Sequence, residues 1–439
     1  MKKRNLNRRN FLRNTSLGFL GTGFLGKKGF VNPIQDQENE LPKIKEYRTL
    51  GRTGFKVSEI GYGNPKNPGL IRAAIESGVN YFDTGRFYGN SENDLGKAIQ
   101  DFDRESLFIT TKLYTQNLGS KKDILEKLNA SFENLGVDHL DCLILQGVES
   151  KETVKHHEFH AVFDQLQQEG RVSYRGIACH SSYVTENEQD TMENILLTAV
   201  DDGRFDLMLL VYNFLFSEQG ERVLRACKEK DIATTIMKTN PVRSYHSFEE
   251  YKQNYDSRNE EMPEALKTMI DRYKGYYEDA MAYLEANGIS DHDEKLSDVA
   301  TKFVLSNKDV DCCLIDFKSF AGLEKHLAYS GQALDTQAMN QIRVFKKALG
   351  RMHCRIGCNV CESHCPWHIP VNTILRYHYY FTVKGQEKYA MKKYRDLFGS
   401  KPDLCTYCEG FCEKACPYGV LTRPLLAMAH QNLSFERTV

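Results

Sequence analysis

From Tyr47 onward the chain alternates short apolar runs with amphipathic stretches, and no other feature of the sequence constrains its fold so tightly. The runs at 58–62, 79–83, 107–112, 140–146, 175–180, 206–212, 233–238 and 312–316 read as strands. Helical patterns lie between them, such as Lys122 to Leu135 and His156 to Gln168. Eight βα repeats in about 280 residues are the arithmetic of an α/β (β/α)8 TIM barrel. A doubly wound parallel sheet is compatible with the alternation alone, but no Gly-rich dinucleotide fingerprint follows the first strand.

At 439 residues there is room for one large domain and a smaller one. Lys and Arg (58) balance Asp and Glu (59), so no basic excess points to nucleic acid. No apolar run reaches the roughly 18 residues of a spanning helix. Of the 13 cysteines, Cys142, Cys179, Cys227, Cys312 and Cys313 are scattered through apolar runs and read as buried core thiols. The remaining eight crowd between Cys354 and Cys416 and mark a separate module.

That module holds two runs, Cys354-x3-Cys358-x2-Cys361-x3-Cys365-Pro366 and Cys405-x2-Cys408-x3-Cys412-x3-Cys416-Pro417. A cubane cluster takes four thiolates. In two-cluster ferredoxins three cysteines of one run serve one cluster, and the fourth, before proline, serves the other. With helical pattern between them, the runs resemble the helical type of dicluster ferredoxin. The resemblance implies a small, mainly α-helical ferredoxin-like domain over 336–439, two 4Fe–4S clusters, eight cysteine ligands and a redox partner. Each run departs from C-x2-C-x2-C-x3-C-P by one residue, at a different place, so the division of ligands between clusters stays open. Zinc sites and four disulfides are the competing readings.

The N-terminus reads as a targeting segment over 1–33. A basic start (Lys2, Lys3, Arg4, Arg8, Arg9) precedes a short apolar region from Leu17 to Leu25. Arg8-Arg9-Asn10-Phe11-Leu12-Arg13 resembles the twin-arginine export motif, with Asn7 where Ser or Thr is usual. It implies passage through the twin-arginine machinery to the periplasm or the outer face of the inner membrane. The segment is either cleaved near Phe30 or kept as an anchor, and a basic tail is the alternative. Residues 34–46 read as a linker.

The stretch from Asn80 to Glu92 carries the chemistry: a strand delivers Asp83, a Gly-rich loop carries Tyr88, and Ser91 or Asn90 caps the next helix. Lys112 ends the following strand and Gln146 the one after it. Strand ends at one rim are where barrels place their active sites. These residues resemble the signature of the aldo/keto reductases over roughly residues 47 to 330, which settles the choice of barrel, assigned here to 47–335. The resemblance implies that Tyr88 exchanges a proton with a carbonyl oxygen, that Lys112 lowers the Tyr88 pKa, and that Asp83 pairs with Lys112. The family's histidine is replaced by Gln146, which can orient an oxygen but cannot carry a proton. His180, at the end of the fifth strand, is either the missing proton handler or a satisfied structural histidine.

The resemblance also implies where NAD(P)H would sit. The positions that hold its carboxamide fall on Ala178, Cys179 and Leu209, which offer almost no amide hydrogen bonding. Lys318 and Ser319 could hold a phosphate, with Phe317 crowding the position usually occupied by glycine. Nicotinamide use is therefore doubtful. The insert 240–293, rich in tyrosine (Tyr245, Tyr251, Tyr255, Tyr273, Tyr276, Tyr277, Tyr283), is a candidate lid or a helical hairpin. His156, His157 and His160 read as a solvated helix face, with a metal site as the alternative. The expected function is that of an iron–sulfur oxidoreductase acting on a small carbonyl or alcohol, the alternative being an electron-transfer or partner-binding protein with a barrel that has lost catalysis.

Overall fold

The computed structural model describes residues 41–180, 190–215, 217–241, 280–350, 357–382 and 386–434, with Cys354, Arg355 and a few positions between 253 and 278. Residues 1–33, expected to be a targeting segment, and most of the tyrosine-rich insert lie outside the described residues. A hairpin comes first, β1 (Tyr47–Thr49) pairing antiparallel with β2 (Lys56–Ser58). Eight parallel strands follow: β3 (Ile60–Gly63), β4 (Tyr81–Asp83), β5 (Phe108–Tyr114), β6 (Leu140–Gln146), β7 (Val172–Cys179), β8 (Leu207–Val211), β9 (Ala233–Met237) and β10 (Cys312–Ile315). β10 pairs with β3 and closes the barrel.

The barrel explains why the runs were so apolar. Successive side chains of a strand face opposite sides, and here both sides are buried. Tyr81, Phe108, Cys142, Ile144, Leu207, Leu209 and Cys312 fill the interior. Their neighbours Phe82, Ile109, Leu143, Leu145, Met208, Leu210 and Cys313 face the helical ring. The five scattered cysteines are all buried, as expected.

The hairpin corrects the first expected strand. Of the run at 58–62, residues 60–62 lie in β3 as expected, while Ser58 ends β2: Ser58 Oγ donates to Ile60 O, and the Ser58 N–H to Asn80 Oδ1 at 2.7 Å, so the chain turns between β2 and β3. Leu50 and Val57 of the hairpin region plug the barrel interior. Gly51, at φ 44°, lies so close to β9 that a Cβ would stand 2.3 Å from Ala233 N, which only glycine permits. The fifth strand also begins earlier than expected, at Val172, and ends before His180.

Beyond the barrel, helices Thr336–Gly350, Val371–Thr382, Glu387–Asp396, Phe411–Ala415 and Thr422–Leu433 form a helical C-terminal region. One apolar cluster joins Phe214 and Leu215, just after β8, to Phe345, Cys358 and Tyr418. A second, with Cys361, Cys365, Cys405 and Cys412, lies among the last helices. The described end of the insert, 280–289, buries Ala280, Leu284 and Ile289 in the first of these clusters. Among the described residues no helix is long and apolar enough to cross a membrane.

Candidate active site

Period-two alternation aims three polar residues inward at one rim. Asp83 follows Tyr81 on the inner face of β4, Lys112 follows Phe108 and Thr110 on β5, and Gln146 follows Cys142 and Ile144 on β6. Lys112 Nζ donates to Asp83 Oδ2 at 2.5 Å and to Thr84 O at 2.7 Å. Asp83 Oδ1 accepts from Thr110 Oγ1 at 2.7 Å. Burial pulls the Lys112 ammonium toward neutrality, but Asp83 and the Tyr88 hydroxyl outweigh it and hold the pKa above its ordinary value. Both partners are almost wholly buried, so each charge depends on the other.

Tyr88 comes from the loop beyond β4. Lys112 Nζ stands 4.7 Å from its ring centroid, and Gln146 Nε2 reaches its hydroxyl at 3.4 Å. The four residues thus meet at one point of the mouth. The loop is held from below by Glu92, whose role the sequence did not reveal, and by Ser91, whose role differs from the expected cap. Glu92 is buried and accepts from Thr111 Oγ1 at 2.7 Å and Asn134 Nδ2 at 3.1 Å. Ser91 does not cap its helix, and neither does the Asn90 side chain, because Ser91 Oγ accepts from Thr84 Oγ1 at 2.7 Å. The signal for these contacts was the outward parity of Thr111 and the buried register of Ser91 and Glu92. Gly147, at φ 73°, ends β6 against the Tyr114 ring, where a Cβ would sit 2.9 Å from the ring carbon Cζ. Tyr114 in turn meets the exposed Phe87 edge-on at 5.7 Å.

His180 stands past the end of β7, within electrostatic reach of the same centre. Burial, then the Lys238 and Lys112 ammonium groups, hold its pKa down at about 4. The ring is neutral at physiological pH, able to donate one hydrogen bond and accept another. The loops after β8 and β9 are tied together there, since Asn213 Nδ2 donates to Lys238 O at 2.8 Å.

The expected carboxamide positions separate by strand parity. Ala178 and Leu209 belong to the interior cluster. Cys179 faces the outer layer, with its thiol donating to Val148 O at 3.5 Å. At the expected phosphate positions, the Ser319 side chain caps the helix Phe320–Leu327 by accepting from Gly322 N at 3.1 Å. Exposed Lys318 pairs with Asp316 at 2.7 Å. Phe317 turns inward, edge-on to Tyr62 at 4.8 Å. The three histidines after β6 also separate. His156 caps the helix His157–Gln168 and His157 is exposed, while buried His160 joins Val154 O at 2.9 Å and Arg175 Nη1 at 2.9 Å. The helix face is therefore solvated only in part, because His160 is a core residue.

Electrostatic contacts link the C-terminal thiols across the two runs. Cys361 lies within electrostatic reach of Cys354, Cys416, Cys412 and Cys358, and Cys354 of Cys358 and Cys416. Cys405 feels Cys412, Cys408 and Cys365, and Cys412 feels Cys365 and Cys408. Burial, the largest cause in each, pushes Cys405 and Cys354 up to about 12 and Cys358 to about 11. Several sulfurs already have donors: Asn372 Nδ2 reaches Cys354 Sγ at 3.1 Å, Ile369 N reaches Cys365 Sγ at 3.4 Å and Gly410 N reaches Cys408 Sγ at 3.4 Å. Cys412 Sγ and Thr422 Oγ1 are 2.9 Å apart. All 13 cysteines are free. Among the described residues no three Cys, His, Asp or Glu side chains converge tightly enough for a single metal ion.

L-galactose dehydrogenase of Arabidopsis thaliana is 24% identical over 308 residues, 64% of this chain and 87% of that protein. A Schizosaccharomyces pombe protein named for a voltage-gated potassium channel subunit beta is 31% identical over 209 residues, 42% of this chain. The chain spans only 58% of that relative's length. A solved aldo-keto reductase from Bacillus halodurans is 19% identical, covers 68% of this chain and 95% of its own, and has a TM-score of 0.47. The model of the aldo/keto reductase family matches residues 64–347, the whole span from the loop after β3 to the helix beyond the barrel, and the chain accordingly belongs to the aldo/keto reductase family.

Proposed function

We propose that the barrel reduces a carbonyl, or oxidises the corresponding alcohol, with electrons carried by two 4Fe–4S clusters in a ferredoxin-type domain over residues 336–439. The observation that supports the chemistry most directly is the buried Lys112–Asp83 pair beneath the Tyr88 hydroxyl. Tyr88, with Lys112 Nζ at its ring and Gln146 at its hydroxyl, is placed to give its proton to a carbonyl oxygen and take one back from an alcohol. Gln146 holds that oxygen in place, and neutral His180 supplies a second donor.

The donor sets fit the clusters. Cys354, Cys358 and Cys361 would hold one with Cys416, and Cys405, Cys408 and Cys412 the other with Cys365, each quartet borrowing the pre-proline cysteine of the opposite run. When bound, such clusters supply one-electron transfer. The NAD(P)H common in the family fits less well, because Ala178 and Leu209 are apolar and Cys179 faces away from the interior. No nicotinamide step is therefore assigned. The apolar pair also favours a second reading, a partner-binding barrel without catalysis. Export by the twin-arginine machinery, to the periplasm or outer face of the inner membrane, completes the proposal and suits a protein that folds around its clusters first.

One experiment separates the readings. Anaerobically purified full-length protein is assayed for iron and sulfide, titrated with NADPH, and tested for dye-linked reduction of a panel of aldehydes and ketones. We expect close to eight irons per chain and NADPH binding weakened by roughly two orders of magnitude, about 1 kcal/mol per missing hydrogen bond. Tyr88→Phe should abolish the dye-linked activity. Stoichiometric zinc, or submicromolar NADPH binding, would overturn the electron route. An activity indifferent to Tyr88→Phe would leave the non-catalytic barrel in its place.

A further inference from the structure

Arg355 is among the largest fully buried side chains of the protein. It stands between Cys354 and the barrel. Its Nε donates to Leu215 O at 3.0 Å, and its guanidinium lies 4.5 Å over the ring of Tyr418, two residues past Cys416. Leu215 is also tied to the mouth, for its N–H donates to Asn213 Oδ1 at 2.9 Å, and Asn213 bonds Lys238 O beside His180. One carboxylate shares this knot: Tyr418 Oη donates to Glu218, on the barrel helix Ser217–Glu229. Arg355 therefore occupies the seam where Cys358 and Cys416 pack with Phe214 and Leu215 of the barrel, whereas Cys365, Cys405 and Cys412 lie among the last helices together with Cys354 and Cys361.

A buried cation has to be explained by what it faces. Arg355 directly follows Cys354, and its guanidinium lies over the ring of Tyr418, two residues past Cys416. The Tyr418 hydroxyl bonds Glu218, so the cation and the carboxylate stand at the same side of the Cys354, Cys358, Cys361 and Cys416 quartet. Adding an electron to a centre adds negative charge, which a nearby cation in a low-dielectric setting stabilises and a nearby carboxylate opposes. We propose that Arg355 is a positioning residue that raises the reduction potential of the barrel-facing quartet's cluster, with Glu218 as its counterweight, so that the cluster next to the barrel is tuned separately from the outer one. This inference rests on the cluster reading above.

The test uses the full-length, anaerobically prepared protein at pH 8, with iron and sulfide measured before EPR-monitored redox titration. In Arg355→Met, one of the two midpoint potentials should fall by about tenfold in its reduction equilibrium, about 59 mV for a one-electron couple, while the other stays. Arg355→Lys should keep the wild-type value. Glu218→Gln should move the same potential upward, and this variant carries the test should Arg355→Met lose its iron. Unchanged potentials in a fully loaded Arg355→Met, an equal shift of both, or no upward movement in Glu218→Gln would overturn the inference. A wild-type protein without iron would overturn the cluster reading itself, and that result is visible before any potential is measured.

Discussion

At the scale of single residues, buried charge decides most of what the site can do. Lys112 and Asp83 are each almost inaccessible, so removing one strands the other in an apolar interior. Lys112→Met should lower stability by about 3–5 kcal/mol as well as activity, measured as a shift in urea midpoint. Lys112→Met combined with Asp83→Asn should recover part of that loss, and a double variant no more stable than the single one would argue against the pairing. His160 gives a prediction of a different kind. Its Nδ1 accepts from Arg175 and its Nε2–H donates to Val154 O, an arrangement that needs the neutral ring. Burial holds its pKa at about 4, below the unfolded value of about 6.5. The native state thus binds fewer protons than the unfolded one between these values, and stability falls as pH drops from about 6.5 toward 4, by up to about 3 kcal/mol. His160→Gln should flatten that fall relative to wild type in denaturation at pH 7.5 and 5. Parallel curves would show that other groups carry it.

At the scale of elements, the hairpin β1–β2 does more than cover an open barrel end. Arg48 Nη1 donates to Val310 O at 2.6 Å, and its Nη2 to Leu305 O at 2.6 Å and Glu59 Oε2 at 2.8 Å. Glu59 Oε1 also accepts from Ser330 Oγ at 2.9 Å and Gly331 N at 2.6 Å. One ion pair therefore fastens the first strands to the helix His292–Ser306 and to the turn after the barrel's last helix. Arg48→Met should cost about 3 kcal/mol or more, because Glu59 would be left buried without its cation while the carbonyls of Leu305, Asn307 and Val310 lose a donor. Differential scanning calorimetry on the full chain measures it. A change in melting temperature of less than a degree or two would mean that the hairpin is held by Leu50 and Val57 alone.

At the scale of the whole molecule, the proposal joins three parts: a targeting segment, a barrel and a cysteine-rich tail packed onto the barrel through Phe214, Leu215 and Tyr418. A chain that must leave the cytoplasm with its clusters in place needs a route that carries folded proteins. Changing Arg8 and Arg9 together to Lys should retain the protein in the cytoplasm while its circular dichroism and iron content stay as in wild type. Normal export of that variant, followed by fractionation and immunoblotting, would exclude the twin-arginine route.

The eight strands were legible in the sequence because a barrel strand buried on both faces is an apolar run whatever surrounds it, and Asp83, Lys112 and Gln146 were legible because each ends such a run. Other features needed tertiary contacts that leave no local trace. The hairpin was hidden because its two strands are three residues each and merge by pattern into β3. Cys179 shared its run with Ala178, and only the register of β7 turned one outward and the other inward. The contacts between thiols of the two runs could not be read from spacing, since each run departs from the common pattern by one residue. It took the packing of the helix Val371–Thr382 against the helix Thr422–Leu433 to bring Cys416 back to Cys354 and Cys365 forward to Cys405. Arg355 read as one basic residue among cysteines, and its buried place at the seam with the barrel exists only because residues 140 apart in sequence, Leu215 and Arg355, meet in the fold.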